Sequence, residues 1–176
     1  STMNRCLTHL LTTTALAIAP LAAPAAPEAA APAAPAVSAK PRIQIAILLD
    51  TSGSMSGLIN QARAHLWKVV NEFATATRDG QRPELEVALY QYGNSGLSAA
   101  TGYIQRLLPL TTDLDQVSEK LFALTTNGGS EYCGWVIKNA TAELAWSANN
   151  RDLKAIFIAG NEPFTQGPVA YAESSK

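Results

Sequence analysis

Residues 43–54, IQIAILLDTSGS, constrain this chain more than any other stretch, because an apolar run passes without a break into an acidic residue and a hydroxyl-rich turn. Over residues 43–49 only Gln44 is polar; the others are β-branched or aliphatic. A strand without polar and apolar alternation is covered on both faces, which places it inside an α/β sheet with helices on either side. Asp50, Ser52 and Ser54 follow at alternate positions, and Gly53 lets the backbone turn so that their oxygens converge. Hard oxygen donors gathered at a strand end suit Mg²⁺, or Mn²⁺ or Ca²⁺ in its place. Helix capping explains the same residue types, since Asp and Ser between a strand and a helix satisfy free amides at a helix N-terminus.

The rest of the chain alternates strand and helix patterns. Residues 57–77 carry Leu58, Ile59, Ala62, Leu66, Val69, Val70 and Phe73, one apolar stripe at helical spacing, with Ser54 or Ser56 as the expected cap. Residues 85–92 (LEVALYQY) read as a second strand, and residues 103–110 as a shorter third one that Pro109 assigns to a sheet edge. A helix is expected over 113–124, a polar turn over 125–130, and a further helix from Glu131 to about Ser147. Residues 153–159 (LKAIFIA) form the next strand, Gly160-Asn161-Glu162-Pro163 its exit turn, and Pro168 opens a last helix. This order predicts an α/β fold: a doubly wound, mostly parallel sheet flanked by helices. Ligands on such sheets bind outside the carboxyl ends of the strands, where Asp50, Ser130 and Glu162 all fall.

The N-terminus is read as targeting. Arg5 precedes an apolar run over 10–23 and small residues such as Ala23-Pro24-Ala25, the regions of a cleavable signal peptide over 1–23, which implies a secreted or periplasmic protein. The run is too short for a membrane span. Residues 24–41 are nearly all Ala and Pro, a semi-rigid linker, and residues 42–176 form the domain. Cys6 leaves with the signal, so Cys133 has no disulfide partner and reads as a small buried residue. The 176 residues carry a net charge of -1, with no basic stripe and no polybasic patch, which argues against nucleic-acid and anionic-membrane partners.

Asp50-Thr51-Ser52-Gly53-Ser54, between an apolar strand and an amphipathic helix, resembles the DxSxS motif of the metal-ion-dependent adhesion site in the von Willebrand factor A (VWA) domain. The resemblance spans about residues 41–176. It implies a Rossmann-like sheet with an antiparallel edge strand, and a cation held by Asp50, Ser52, Ser54 and a hydroxyl from a later loop. Ser130, in Gly128-Gly129-Ser130, stands where the family has Gly-Gly-Thr, with Thr126 as runner-up. The family also carries Thr-Asp-Gly after a later strand. Here that stretch reads Ala159-Gly160-Asn161-Glu162, so Gly160 takes the place of the acid and Glu162 is the weaker substitute. With one carboxylate fewer the cation is held less tightly and is more electrophilic toward an incoming ligand. Thr126 and Asn127 are expected at the partner-binding rim. A VWA sheet normally continues beyond the strand at 153–159, so the domain reads as incomplete at its C-terminus.

The function implied is an exported adhesion-type module in which a protein partner's Asp or Glu completes the coordination of the cation. A metal-free scaffold binding through its loop face is the alternative. A hydrolase is disfavoured, because His65 lies about three helical turns from Ser54, beyond reach of its proton. No GxSxG, HExxH or paired-carboxylate spacing is present. The expectation is therefore a non-enzyme with no small-molecule substrate.

Overall fold

β1 (Arg42–Asp50) is buried from its second residue to its last, and its two faces feed two separate cores. In the computed structural model, which describes residues 40–78 and 80–169, Ile43, Ile45, Ile47 and Leu49 face one way. They pack with Ile59, Leu66 and Val70 of α1 (Ile59–Thr75) and with Val117 and Leu121 of α2 (Leu114–Ala123). Ala46 and Leu48 face the other way, against Val136 and Ala140 of α3 (Cys133–Glu143) and Tyr90 and Tyr92 of β2 (Glu84–Tyr92). Gln44 is the exception in composition and is satisfied in place. Its Nε2 donates to Glu86 Oε2 at 2.6 Å, and its Oε1 accepts from the Ser147 amide at 2.7 Å.

With β3 (Ile104–Thr111) and β4 (Leu153–Ala159), the described sheet runs in the order β3-β2-β1-β4. β1 is parallel to both β2 and β4, while β3 runs antiparallel to β2, with register shifts between Val87 and Tyr90. Pro109 does lie on a terminal strand, where its missing N–H costs no ladder bond. The expected doubly wound α/β class is therefore the observed one.

Three parallel strands end on one rim. Asp50 is in register with Tyr92 of β2, and Leu49 with Ala159 of β4. The chain leaves β1 for α1 on one face and enters β4, on the other side of β1, from α3 on the opposite face. That reversal opens a crevice at the end of β1, the place where open α/β sheets bind ligands.

Two local expectations are corrected. Neither Ser54 nor Ser56 caps α1: a short 3₁₀ helix over Gly53–Gly57 intervenes, and the N-cap, Leu58, has no side-chain bond. Ser54 instead spends its hydroxyl on the rim. The helix expected from Glu131 to Ser147 is shorter, because Leu144 is extended and Trp146 Nε1 folds back to the Ala140 carbonyl at 3.0 Å. Glu131 thus lies in the loop before α3. The signal peptide, the linker up to residue 39 and the helix expected after Pro168 lie outside the described residues.

Candidate metal centre

The loop after β1 is pinned from two sides. Thr51, fully buried, donates its amide to the Tyr92 carbonyl at 2.8 Å and directs its hydroxyl at the same oxygen at 3.2 Å, which fixes the turn to the end of β2. From the other side the 125–130 loop closes down: the Asn127 amide donates to the Thr51 carbonyl at 3.0 Å, and a methyl added at Gly53 would lie 3.2 Å from Gly128 Cα. Gly129 lies against the Gly93 carbonyl so closely that no side chain fits. Gly129 is therefore a packing requirement, and it delivers Ser130 and Glu131 to the rim.

Within this frame Asp50 has no exposed surface. Its Oδ1 accepts the Ser52 amide at 2.8 Å, whereas Oδ2 is buried without any hydrogen-bond partner. The Ser52 and Ser54 hydroxyls lie 2.9 Å apart, and Ser54 donates to Asn161 Oδ1 at 3.0 Å. Both hydroxyls keep lone pairs for a cation. Glu131, only 6% exposed, lies alongside. A methyl added at Gly93 would sit 2.8 Å from Asp50 Oδ1, 3.2 Å from Glu131 Cγ and 3.4 Å from Ser52 Cβ, so three side chains border one small space.

Burial raises the Asp50 carboxyl above its ordinary range, and the neighbouring Glu131 adds to the rise. The Ser52 amide and hydroxyl and the Asn161 amide offset part of it. Among the described residues neither Asp50 nor Glu131 forms an ion pair with a Lys, Arg or His. A buried carboxylate in that position is costly unless something positive reaches it.

The other residues expected here divide. Gly160 does lie against Asp50, but a side chain there would come within 2.5 Å of the Tyr92 hydroxyl and 3.1 Å of Asp50 Cβ. That hydroxyl is buried, accepts the Cys133 thiol at 3.6 Å, and is held above the usual phenol range by burial. Cys133 is likewise buried, and its thiol is pushed up, the condition of an inert packing residue. Ser130 and Thr126 are half-buried and Asn127 is exposed on the adjoining loop; among the described contacts no bond joins the Ser130 hydroxyl to Asp50, Ser52 or Ser54. No described contact brings the Glu162 carboxylate to the serines; Asn161 is the residue of that turn that bonds Ser54. His65 is exposed on α1.

Sequence reading passed over Asn161, Tyr92 and Glu131. The signal for Glu131 was present, an acid directly after the expected hydroxyl ligand, but helix periodicity absorbed it. Among the described residues no three His, Cys, Asp or Glu side chains gather as a metal set. The donors that do gather at this strand end are the buried Asp50 carboxylate and the Ser52 and Ser54 hydroxyls, with Glu131 bordering Asp50 Oδ1. They fit a hard divalent cation, with Asp50, Ser52 and Ser54 as the residues that would hold it.

An open α/β sheet with a carboxylate and paired hydroxyls at the end of its central strand defines a recognisable class. The family model of the von Willebrand factor type A domain matches residues 44–167, and the chain belongs to that family. No curated protein matches it. Among solved structures, the SpRpn10 VWA domain is 19% identical with a TM-score of 0.52, over 72% of this chain and 63% of that one. The pilus adhesin SpaC from Lactobacillus rhamnosus GG is 18% identical with a TM-score of 0.50, over 69% of this chain and 14% of that one. The three N-terminal domains of the type V pili tip protein Mfa5 from Porphyromonas gingivalis give 24% identity and a TM-score of 0.49, over 66% and 19%. This chain spans less than two thirds of each of these proteins, and the likenesses to SpRpn10 and SpaC, at these identities, establish the fold alone.

Proposed function

We propose that this chain is an exported, non-enzymatic binding module. In this reading a divalent cation, Mg²⁺ or in its place Mn²⁺ or Ca²⁺, joins Asp50, Ser52 and Ser54 to a carboxylate presented by a protein partner. The observation that carries the reading is Asp50 Oδ2, an oxygen buried at the rim that completes no hydrogen bond of normal geometry. A cap needs one carboxylate oxygen, and Oδ1 already serves the Ser52 amide; the second oxygen requires another explanation. When bound, the cation supplies an electrophilic coordination position for the incoming carboxylate. Asp50 offsets its charge, Ser52 and Ser54 offer hydroxyl oxygens, and Asn161 orients Ser54. Ser130 is proposed as the third hydroxyl, with Thr126 and Asn127 at the partner-facing rim and Glu162 as a peripheral acid. Export is proposed from the basic, apolar and small-residue regions of the N-terminus.

A peptide array tests this reading. The chain is applied to peptides ending in Asp or Glu and to the same peptides ending in Asn or Gln amide, in Mg²⁺ and in EDTA. Retention should require both the carboxylate and Mg²⁺, and should vanish in Asp50→Ala/Ser52→Ala. Retention that persists in EDTA would replace the metal-bridged reading with binding through the bare loop face.

A further inference from the structure

We infer that the second carboxylate of the cation site is Glu131, contributed by the loop before α3, and not a residue of the turn after β4. The inference rests on the cation reading above and concerns which residues complete that site. At the end of β4 the acid is missing: Gly160 faces Asp50, but the buried Tyr92 hydroxyl fills the space a side chain would need, and Asn161 closes over Ser54. The compensating charge lies on the opposite flank. Glu131 borders the same space as Asp50 and Ser52, the one a methyl at Gly93 would fill.

Three observations about Glu131 converge on this role. It is 6% exposed, unusual for a glutamate, and the described residues supply no cationic partner. It is placed there by backbone devices, since Gly129 can approach the Gly93 carbonyl only as glycine, and the Glu131 amide is held by Gln166 Oε1 at 3.3 Å. Its neighbour is a second buried carboxylate, Asp50, whose Oδ1 faces the space that Glu131 borders. Two acids buried side by side repel each other, and a packed fold gains nothing from them as such. A divalent cation between or beside them removes the repulsion and offsets both charges. Glu131 would act either directly on the cation or through one of its waters, and in both cases it sets how tightly the ion is held.

Titration of Mn²⁺ into the parent, Glu131→Gln and Glu162→Gln, followed by calorimetry, tests the assignment. Glu131→Gln keeps shape and hydrogen-bonding length while removing the charge. It should weaken Mn²⁺ binding by about tenfold or more, the scale of losing a carboxylate at or next to a metal ligand, while Glu162→Gln stays within about twofold of the parent. Melting in EDTA controls for folding: with one buried like charge removed, Glu131→Gln should unfold at no lower temperature than the parent. Parent-like affinity in Glu131→Gln, or a loss confined to Glu162→Gln, would overturn the assignment and leave the cation reading intact. A parent that takes up no Mn²⁺ would overturn both.

Discussion

The ends of β1 and β4 lie side by side on one rim, and the chain treats them in opposite ways. At the end of β1, Asp50 is buried with one oxygen bonded and one free. At the end of β4, Gly160 presses against Asp50 with no side chain at all, because the Tyr92 hydroxyl stands where one would go. Both positions carry an acid in the family pattern that this chain resembles. The contrast shows that a motif position is decided by what the neighbouring strand places beneath it. Leu49 and Ala159 are in register, so a side chain leaving β4 just beyond that pair meets whatever β2 has projected past β1. Here that is a rigid phenol, fixed by its packing and by the Cys133 thiol.

The strongest way to break the contrast is Gly160→Asp. If only the missing acid separated the two ends, this variant would tighten Mn²⁺. The packing forecasts the opposite: overpacking a buried site costs about 1–3 kcal/mol, and a further unpaired carboxylate adds to that. Urea unfolding should show the loss, and calorimetry should show no gain in affinity. A stable, tighter-binding Gly160→Asp would mean that Tyr92 yields easily and that the two ends are equivalent. Tyr92→Phe sharpens the point. Alone it leaves the Cys133 thiol without its acceptor and should cost on the order of 1 kcal/mol. Combined with Gly160→Asp it should recover part of that variant's loss, a coupling that independent sites would not show.

Much of this molecule was legible before its structure. The unbroken apolar run of β1 announced a central strand with helices on both faces, Pro109 announced an edge, and Asp50, Ser52 and Ser54 announced a polar turn at the strand end. These features are local, set by residues a few positions apart. What escaped the sequence depends on contacts between distant segments. Asn161 meets Ser54 across 107 residues of chain, and Tyr92 rises beneath Gly160 because β2 is parallel to β1 and one strand removed from β4. The capping expectation failed because a 3₁₀ helix over Gly53–Gly57 separates Ser54 from the start of α1, and Ser54 is bound to Asn161 instead. Glu131 was hidden by its own context, since an acid before an apolar-periodic segment reads as the first turn of a helix.

A smaller effect follows from acidity. Burial and Glu131 raise the Asp50 carboxyl above its ordinary value of 3.8. The folded state then holds its proton more firmly than the unfolded state, so metal-free stability falls as pH rises through the folded value and is regained on acidification. Relative to Asp50→Asn, which does not titrate there, the parent in EDTA should gain stability between about pH 7 and about pH 4. A parent that instead loses ground to Asp50→Asn over that range would mean that a cationic or hydrogen-bonding partner already serves the carboxylate.

The most direct test of the central claim, that Asp50 is a buried carboxylate built for a cation, is the melting order of the parent and Asp50→Asn in EDTA and in Mg²⁺. Asn preserves the acceptor for the Ser52 amide and replaces the second, charged oxygen with a neutral NH2 group. In EDTA the variant should melt above the parent, because the unpaired charge is gone. In Mg²⁺ at a hundredfold excess over its dissociation constant, the parent should gain about 2.7 kcal/mol and the variant far less, so that the order reverses. The same order in both buffers, with no shift of the parent on adding Mg²⁺, Mn²⁺ or Ca²⁺, would show that Asp50 is a turn-forming residue and that no cation site exists at the end of β1.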